Sequence, residues 1–342
     1  MKYLLETHHG IGDVAQYTGI IKSVREYDKD AFIGIVLNKE AYGSLLKLDA
    51  NINIIYVIDF GGDKKKLLKE ILRIRKQRFD YMVCSVHSAK SMEFMAVAFG
   101  AKKVVGSLLG RLEKISTRYI NVPVNEPDHY VKQNYDVLHG LNPKFRFCEP
   151  YLVCPAPPYE LKNHTVGLCI GTNSPAKTWP IERYIKVGEY FEKLGYGIAI
   201  LGGKREAEQF NAFGYRNDKW VNLLGKTDLM ESASECSQCE LVIGGDTGPM
   251  HMAAAAGAKT LALFSCTDPT RHAPFSKHSY YYYAPTDCQF CVSSKMKGCT
   301  DYKCLYSIEV EVVIEIAESI LKGLDSAEKY RLKYQGDGSM NG

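Results

Sequence analysis

Residues 240–257 read ELVIGGDTGPMHMAAAAG. The run Glu240–Ile243, apolar after its first residue, is typical of a buried strand, and the small residues that follow His251 are typical of a helix packed closely on a sheet. Between them, glycines allow close approach of the backbone to a ligand, and free amides at the start of a helix bind anions. The stretch therefore predicts a strand, an anion-binding loop and a helix, the repeating unit of an α/β domain.

The same alternation of strand-like and helix-like segments runs through both halves of the chain. Strand-like runs lie at Tyr3–Glu6, Ala31–Leu37, Ile54–Ile58, Tyr81–Val86, Lys103–Val105, Thr165–Ile170, Gly197–Leu201, Glu240–Gly244 and Thr260–Phe264. Five prolines crowd residues 142–158, which predicts a linker there. We expect two α/β domains with mainly parallel sheets, residues 1–155 and 156–325, followed by a tail, residues 326–342, that is disordered from Gly336 onward.

The composition suits a globular protein with two cores. The chain has 342 residues, 46% hydrophobic and 24% charged. Its net charge of +4 is too small to demand a nucleic-acid partner, and it suits an anionic small molecule or an anionic membrane face. The start of the chain lacks a signal-peptide pattern, and no apolar run reaches the ~20 residues that span a bilayer. We expect a cytoplasmic protein, at most peripheral at the inner membrane face, where Lys64–Lys66 either contribute or simply face solvent.

The loop in the quoted stretch carries the first candidate site. A diphosphate would fit in this loop. The Gly248 amide at the start of the helix, the Thr247 hydroxyl and a protonated His251 one turn further on could each donate a hydrogen bond to it. The alternative is structural, because Asp246 or Thr247 could simply cap the helix. The glycine pattern alone does not decide between these two interpretations.

Two further loops follow strands of the same half. Residues 171–177, with Thr172 and Asn173, end in Lys177, which could neutralise charge on a departing diphosphate or could be an ordinary surface lysine. After Gly202-Gly203, Glu206 could bond ribose hydroxyls or could only start a helix. Ligands of open α/β sheets bind at the carboxyl ends of strands, so these loops are the expected place for a site.

In the first half, Asp13 follows the first strand at the mouth of a helix. A carboxylate in this position is a candidate general base for an acceptor hydroxyl. Because aspartate is also favoured at the start of helices, a capping role is the alternative.

Several enzyme classes are disfavoured by missing patterns. The chain lacks the G-x-G-x-x-G of dinucleotide dehydrogenases and the Gly-Lys-Ser/Thr of P-loop enzymes. Asp28-Lys29-Asp30 has the form of a metal-binding D-x-D, but it lies between a helix and a strand and is predicted to be a turn. We therefore expect no catalytic magnesium.

Three motifs occur in the order seen in the heptosyltransferases of glycosyltransferase family 9. They are Gly12-Asp13-Val14, Lys177-Thr178-Trp179-Pro180 and Asp246–Ala255, and Leu263–Pro269 and Cys304-Leu305 also resemble that family. The resemblance implies the GT-B fold, two Rossmann-like domains facing across a cleft. It also implies an inverting transfer of a sugar, typically from ADP-heptose, onto a hydroxyl of a lipopolysaccharide-core-like glycan or glycolipid, with no cofactor required.

The resemblance also implies roles for individual residues. Asp13, in an acceptor-binding N-terminal domain, would be the base, and Lys177 would act on the leaving group. The donor's nucleotide sugar would be held in the C-terminal domain by Thr172, Asn173, Lys177, Glu206, Asp246, Thr247, Gly248, Pro249 and His251. Two features depart from the family pattern, the uncharged Ser174-Pro175-Ala176 before Lys177 and the tyrosine run at residues 280–283.

Four of the eleven cysteines form a cluster, Cys288, Cys291, Cys299 and Cys304. Four thiolates suit a tetrahedral structural zinc or iron, and the alternative is reduced thiols that pack a loop. Two rival functions remain open at this point. A sugar-nucleotide epimerase or hydrolase of the same fold would consume donor without an acceptor, and a non-catalytic subunit would bind the nucleotide sugar within a glycan assembly system.

Overall fold

A computed structural model describes residues 1–7, 10–86, 91–172, 174–291 and 298–333, excluding the side chains of Ser91 and Met92. The chain divides into two compact units, which meet in sequence between Val153 and Cys154. This division falls two residues before the predicted boundary after residue 155.

The first unit contains a six-stranded sheet in which every neighbouring pair of strands is parallel. Its strands are β1 (Lys2–Glu6), β2 (Phe32–Leu37), β3 (Ile54–Val57), β4 (Tyr81–Cys84), β5 (Lys103–Gly106) and β6 (Tyr119–Asn121), in the order β3-β2-β1-β4-β5-β6. Its helices are α1 (Ile11–Tyr27), α2 (Glu40–Gly43), α3 (Lys64–Gln77), α4 (Ser91–Ala98), α5 (Gly110–Glu113) and α6 (Tyr130–Leu141), with a 3₁₀ turn at Ser44–Leu46. In register, Leu4 of β1 lies beside Gly34 and Met82.

The second unit repeats this plan. Its strands are β7 (Thr165–Cys169), β8 (Gly197–Leu201), β9 (Val221–Asn222), β10 (Leu241–Gly245), β11 (Thr260–Leu263) and β12 (Ser279–Tyr282), all parallel, in the order β12-β11-β10-β7-β8-β9. Its helices are α7 (Ile181–Lys193), α8 (Lys204–Phe213), α9 (Leu229–Gln238), α10 (Gly248–Ala255), α11 (Pro269–His272), α12 (Lys303–Tyr306) and α13 (Val310–Leu321), with 3₁₀ turns at Pro175–Lys177 and Asp325–Tyr330.

Both sheets have the strand order of a Rossmann fold, in which the first and fourth strands of each unit are neighbours. The order reverses between these two strands, so the loops after β1 and β4, and those after β7 and β10, border the switch points where α/β sheets bind ligands. The predicted fold class, α/β with two Rossmann-like domains, is confirmed. The tyrosine run that departed from the family pattern supplies most of β12.

Trp179 anchors the loop between β7 and α7 to the core of the second unit. Its side chain is fully buried, its indole Nε1 donates to the carbonyl of Ile308 at 3.1 Å, and its ring packs edge-on against Tyr184. Because Trp179 stands two residues after Lys177, this packing fixes the backbone from which the lysine extends.

The second unit continues beyond its predicted end at residue 325. The 3₁₀ turn Asp325–Tyr330 buries Ala327, and the amide of Leu332 donates to the carbonyl of Ser279 in β12 at 2.9 Å. The start of the predicted tail therefore packs on the sheet, since Ala327 and Leu332 are apolar and find a surface to cover. The predicted disorder from Gly336 onward lies outside the described residues.

Candidate active site

Two glycines bring the loops after β7 and β10 together. These strands are parallel neighbours, with Gly244 opposite Cys169. A Cβ atom on Gly245 would lie 2.7 Å from the carbonyl oxygen of Lys177 and 3.2 Å from a methyl carbon of Thr172, and one on Gly244 would lie 2.9 Å from the carbonyl of Cys169. The absence of side chains on these glycines thus lets the lysine loop lie directly against the end of β10.

Lys177 and Asp246 form an ion pair at this switch point. The lysine Nζ lies 2.5 Å from Asp246 Oδ2, and the Thr267 hydroxyl donates to the same oxygen at 2.6 Å. Only 8% of the Asp246 side chain is exposed, against 21% of the Lys177 side chain. Burial alone would raise the pKa of Asp246, but the Lys177 ammonium and the two hydrogen bonds hold it below its ordinary value. The pair is therefore ionised, with its two charges balanced.

Helix α10 begins two residues after Asp246. Thr247 is its extended N-cap residue, and in the described structure the threonine side chain makes no capping hydrogen bond. Gly248 and Pro249 open the helix, and His251 lies buried in its first turn. The Asp246 carboxylate bonds Lys177 and Thr267, so neither of the side-chain caps considered from the sequence holds this helix start.

Thr172 and Glu206 support the neighbouring loops. The buried Thr172 hydroxyl bonds the Ser174 carbonyl and the Thr178 hydroxyl, both at 2.7 Å, which ties the ends of the lysine loop together. Glu206 Oε2 accepts from the amide of Gly203 at 2.9 Å and closes the start of α8. Its side chain also covers Gly171, where a Cβ would lie 2.5 Å from Glu206 Cγ. The predicted Asn173 lies outside the described residues.

Asp13 is the third residue of α1, at the switch point of the first unit. Its Oδ2 accepts from the amide of Gly10 at 2.9 Å, so the carboxylate helps to close the start of the helix. A carboxylate in the first turn is also stabilised by the helix dipole. The capping role considered from the sequence is thus present in the structure, and it leaves the proton-accepting role to be tested by experiment.

Comparison with known proteins places the chain in a family. The sequence profile described as glycosyltransferase family 9 (heptosyltransferase) matches residues 66–299, more than half of the chain. The chain belongs to glycosyltransferase family 9. It is therefore an enzyme that transfers a sugar, and both the suspected family and the enzyme class are confirmed.

Full-length relatives agree with this assignment. The family 9 enzyme is 27% identical to a lipooligosaccharide heptosyltransferase 2 of Campylobacter jejuni over 94% of this chain and 99% of the relative. A family 9 glycosyltransferase from Veillonella parvula superimposes with a TM-score of 0.82 at 22% identity, covering 94% of this chain and 97% of that one. The ADP-heptose lipopolysaccharide heptosyltransferase II of E. coli gives 0.74 at 18% identity, covering 94% and 99%. These structures share the GT-B fold that was expected.

Two side chains of this family 9 enzyme were not singled out from the sequence. Thr267 follows β11, the neighbour of β10, within a segment already noted for its family resemblance, so its place beside Asp246 could have been inferred. His272, in α11, lies beyond that segment. Burial lowers the pKa of His272 to about 4. The Asp246 carboxylate alone would raise this pKa, but the nearby positive charges of Lys177, Arg271 and His251 lower it further.

Because of this shifted pKa, His272 should make the stability of the enzyme fall in acid. The unfolded chain binds a proton at His272 below pH ~6.5, whereas the folded chain binds it only near pH 4. The free energy of unfolding should therefore fall by about 1.4 kcal/mol per pH unit between these values, roughly 3 kcal/mol in all. Urea unfolding across this range should show that His272→Asn removes this part of the slope.

A matched control for that experiment is His164→Asn. Its side chain is 75% exposed, so this change should leave most of the acid-dependent slope in place. Equal slopes for wild type and His272→Asn would contradict the assignment of the slope to His272.

The sequence left the cysteine cluster of the family 9 enzyme open between a metal site and reduced thiols that pack a loop. Among the described residues, no three His, Cys, Asp or Glu side chains are grouped to hold a metal. Cys299 Sγ lies 3.4 Å from Asp301 and Cys291 Sγ bonds the carbonyl of Cys288. Burial, with the neighbouring thiols Cys266, Cys288 and Cys291, raises the pKa of Cys304 to about 11.

The predicted turn at residues 28–30 is present. Asp28 Oδ1 accepts from the amide of Asp30, and Asp28 Oδ2 bonds the chain's amino terminus at 2.8 Å. Both Asp28 oxygens therefore accept hydrogen bonds from backbone nitrogens of this chain.

Proposed function

We propose that this enzyme transfers a heptose from ADP-heptose, with inversion, onto a hydroxyl of a lipopolysaccharide-core-like glycan at the inner membrane face. The observation that carries the proposal is the Lys177–Asp246 pair beside the start of α10, at the switch point of a family 9 chain. The names of two relatives support the substrates, since one is a lipooligosaccharide heptosyltransferase and another an ADP-heptose enzyme.

The donor is proposed to bind in the second unit. Its diphosphate would accept hydrogen bonds from the Gly248 amide, the Thr247 hydroxyl and His251 at the start of α10, where the helix dipole favours negative charge. Lys177 has three N–H donors, so it could keep Asp246 and also bond a phosphate oxygen. The remaining donor contacts are assigned to Thr172, Asn173, Glu206, Asp246 and Pro249, with Glu206 on the ribose hydroxyls.

The proposed reaction is a single displacement. The acceptor oxygen attacks the anomeric carbon from the face opposite the diphosphate, its proton passes to Asp13, and the bond from that carbon to the diphosphate oxygen breaks. Negative charge then grows on the leaving phosphate. Lys177, His251 and the Gly248 amide would stabilise this charge, and one such preorganised donor typically contributes about 10²–10³ in rate. We propose that the step requires neither a metal ion nor an organic cofactor.

A thermal-shift panel of nucleoside diphosphates tests the donor assignment. At a concentration 100 times its Kd, ADP should stabilise the protein by about 2.7 kcal/mol relative to the ligand-free protein, and UDP or GDP at the same concentration should stabilise it less. Lys177→Met should reduce the ADP shift, whereas the same change at Lys186, an exposed lysine of α7, should not. A preference for UDP or GDP would refute the ADP-heptose assignment.

Product analysis separates the transferase from its two rivals. Consumption of the donor should require an acceptor glycan, and the released nucleotide should match the sugar that is transferred. Rapid consumption without acceptor would indicate an epimerase or hydrolase of the same fold. Tight ADP binding with no consumption under any condition would indicate a binding subunit.

A further inference from the structure

Helix α3 holds the excess positive charge of the chain. Its fourteen residues, KKKLLKEILRIRKQ, include seven lysines and arginines and one glutamate. The whole chain has 43 basic and 39 acidic residues, so the rest of it has 36 and 38 and is slightly acidic. A net charge of +4 spread over the surface would be unremarkable, but this charge is concentrated on one helix about 20 Å long.

The exposed face of α3 also carries leucines. Leu68 and Leu72 lie one turn apart and are 57% and 56% exposed, whereas Ile71 and Ile74 of the same helix are buried in the core of the first unit. The two leucines line a shallow groove together with Lys65, Lys69, Arg73 and Lys76. Burying the leucines would be favourable, yet no other element of the described chain covers them.

The apolar surface continues onto α4. One contact joins α4 to α3, since Arg75 Nη1 donates to the carbonyl of Ala98 at 2.8 Å. Another joins α4 to the loop before α3, where the ring of Phe60 lies 6.0 Å from that of Phe94. Phe94 is 52% exposed and Val97 is 48% exposed. The half-exposed side chains of Phe94 and Val97 therefore add to the apolar surface of Leu68 and Leu72, beside the basic residues of α3.

We propose that this face of α3 and α4 is a docking surface for an anionic phospholipid membrane. Basic residues gain about 1 kcal/mol each near an anionic lipid surface, and exposed leucines and aromatics enter the boundary between headgroups and acyl chains. The inference rests on the proposed function in one respect, because a membrane-borne acceptor glycan gives the enzyme a reason to bind a membrane.

The composition of this face disfavours other occupants. A second copy pairing through the same face would bring two strongly positive helices together, which is unfavourable. A nucleic acid would satisfy the lysines but leave the leucines and Phe94 exposed. None of the helices in the described part of the chain has the length and hydrophobicity that crossing a bilayer requires. The proposed contact is therefore with the surface of the bilayer.

Vesicle flotation of the full chain tests the proposal. The protein should float with vesicles of phosphatidylcholine and phosphatidylglycerol, remain in solution with phosphatidylcholine alone, and bind less in high salt. Lys65→Gln/Lys69→Gln/Lys76→Gln should weaken partitioning about 100-fold, and Leu68→Ser/Leu72→Ser about tenfold. Because all five side chains are exposed, the unfolding temperatures should hardly change.

A control variant carries matched changes on α7 and just after it, Lys186→Gln/Lys193→Gln/Leu194→Ser, and should float like wild type. Equal flotation of wild type and the α3 variants would overturn the proposal. The proposal would also be overturned if the wild-type protein bound no vesicles but self-associated in sedimentation experiments, and if Leu68→Ser/Leu72→Ser abolished that self-association.

The result is separable from that of the proposed function. The α3 variants should keep the ADP thermal shift and the transfer to a water-soluble acceptor, because they change neither the donor residues nor Asp13. If ADP fails to bind while vesicles are still bound, only the proposed function is refuted.

Discussion

Replacing Asp13 with asparagine should lower turnover by about 10²–10⁴-fold, the usual contribution of a positioned general base. The amide oxygen of asparagine can still accept the hydrogen bond from the Gly10 amide, but it cannot take the acceptor's proton. The ADP thermal shift should be unchanged, because the proposed donor contacts all belong to the second unit. Steady-state kinetics with an acceptor, together with the ADP titration, measure the two effects separately.

The asparagine variant is more decisive than alanine at this position. Asp13→Ala would also remove the hydrogen bond at the start of α1, at a cost of about 1 kcal/mol in stability, and would confuse the two roles. Asp228 provides a matched control, since it caps α9 through the amide of Glu231. Asp228→Asn should leave turnover intact. If Asp13→Asn is as active as wild type, the carboxylate is a structural cap and the base must be sought elsewhere.

The strands of both sheets could largely be predicted from the sequence, because their buried apolar runs are bounded by glycine, proline and polar residues. The shortest strands could not. β9 has two residues and β6 has three, too few for a pattern to emerge. Their backbones are held by strands that are distant in sequence, and this pairing depends on the assembled sheet.

The site was only partly predictable for a related reason. Lys177 and Asp246 were both found because each follows a strand, but their pairing spans 69 residues and depends on β7 and β10 being neighbours. The sequence left Lys177 open between a group that neutralises a diphosphate and an ordinary surface lysine, whereas the structure shows it paired with Asp246. Gly245 was interpreted as part of an anion cradle, and its contact with the Lys177 carbonyl shows that it also admits the loop.

The cysteines show what spacing alone leaves undecided. The C-x-x-C pattern and two later cysteines were compatible with a four-thiolate site or with reduced thiols, and the fold adds Cys266 to this group, with its carbonyl accepting from the Cys291 amide at 2.8 Å. Cys299 instead contacts Asp301. This arrangement follows from the position of the loop after β11, which local spacing does not reveal.

Helix α3 illustrates the same difference between composition and position. Its lysines were evident from the sequence and were compatible with either a solvated face or a membrane. Helical periodicity turns Ile71 and Ile74 towards the sheet and leaves Leu68 and Leu72 facing away from it. The exposure of the two leucines is visible only once the surrounding elements are in place.

Replacing Lys177 with methionine should affect both catalysis and stability. Loss of the ammonium that is proposed to face the leaving group should lower turnover by about 10²–10³-fold. It also leaves the Asp246 carboxylate buried without its counter-ion, which should cost about 2 kcal/mol of folding free energy. This cost is below the range for fully buried pairs because about a fifth of the Lys177 side chain is exposed. Kinetics and urea unfolding of the purified variant measure the two losses.

A second substitution separates these two losses. Adding Asp246→Asn to Lys177→Met removes the unpaired charge while keeping an acceptor for the Thr267 hydroxyl, so the double variant should regain most of the lost stability. It should not regain turnover, because the leaving group still lacks its cation. Recovery of turnover together with stability would show that Lys177 only neutralises Asp246. The growing negative charge would then have to be stabilised by α10 and His251 alone.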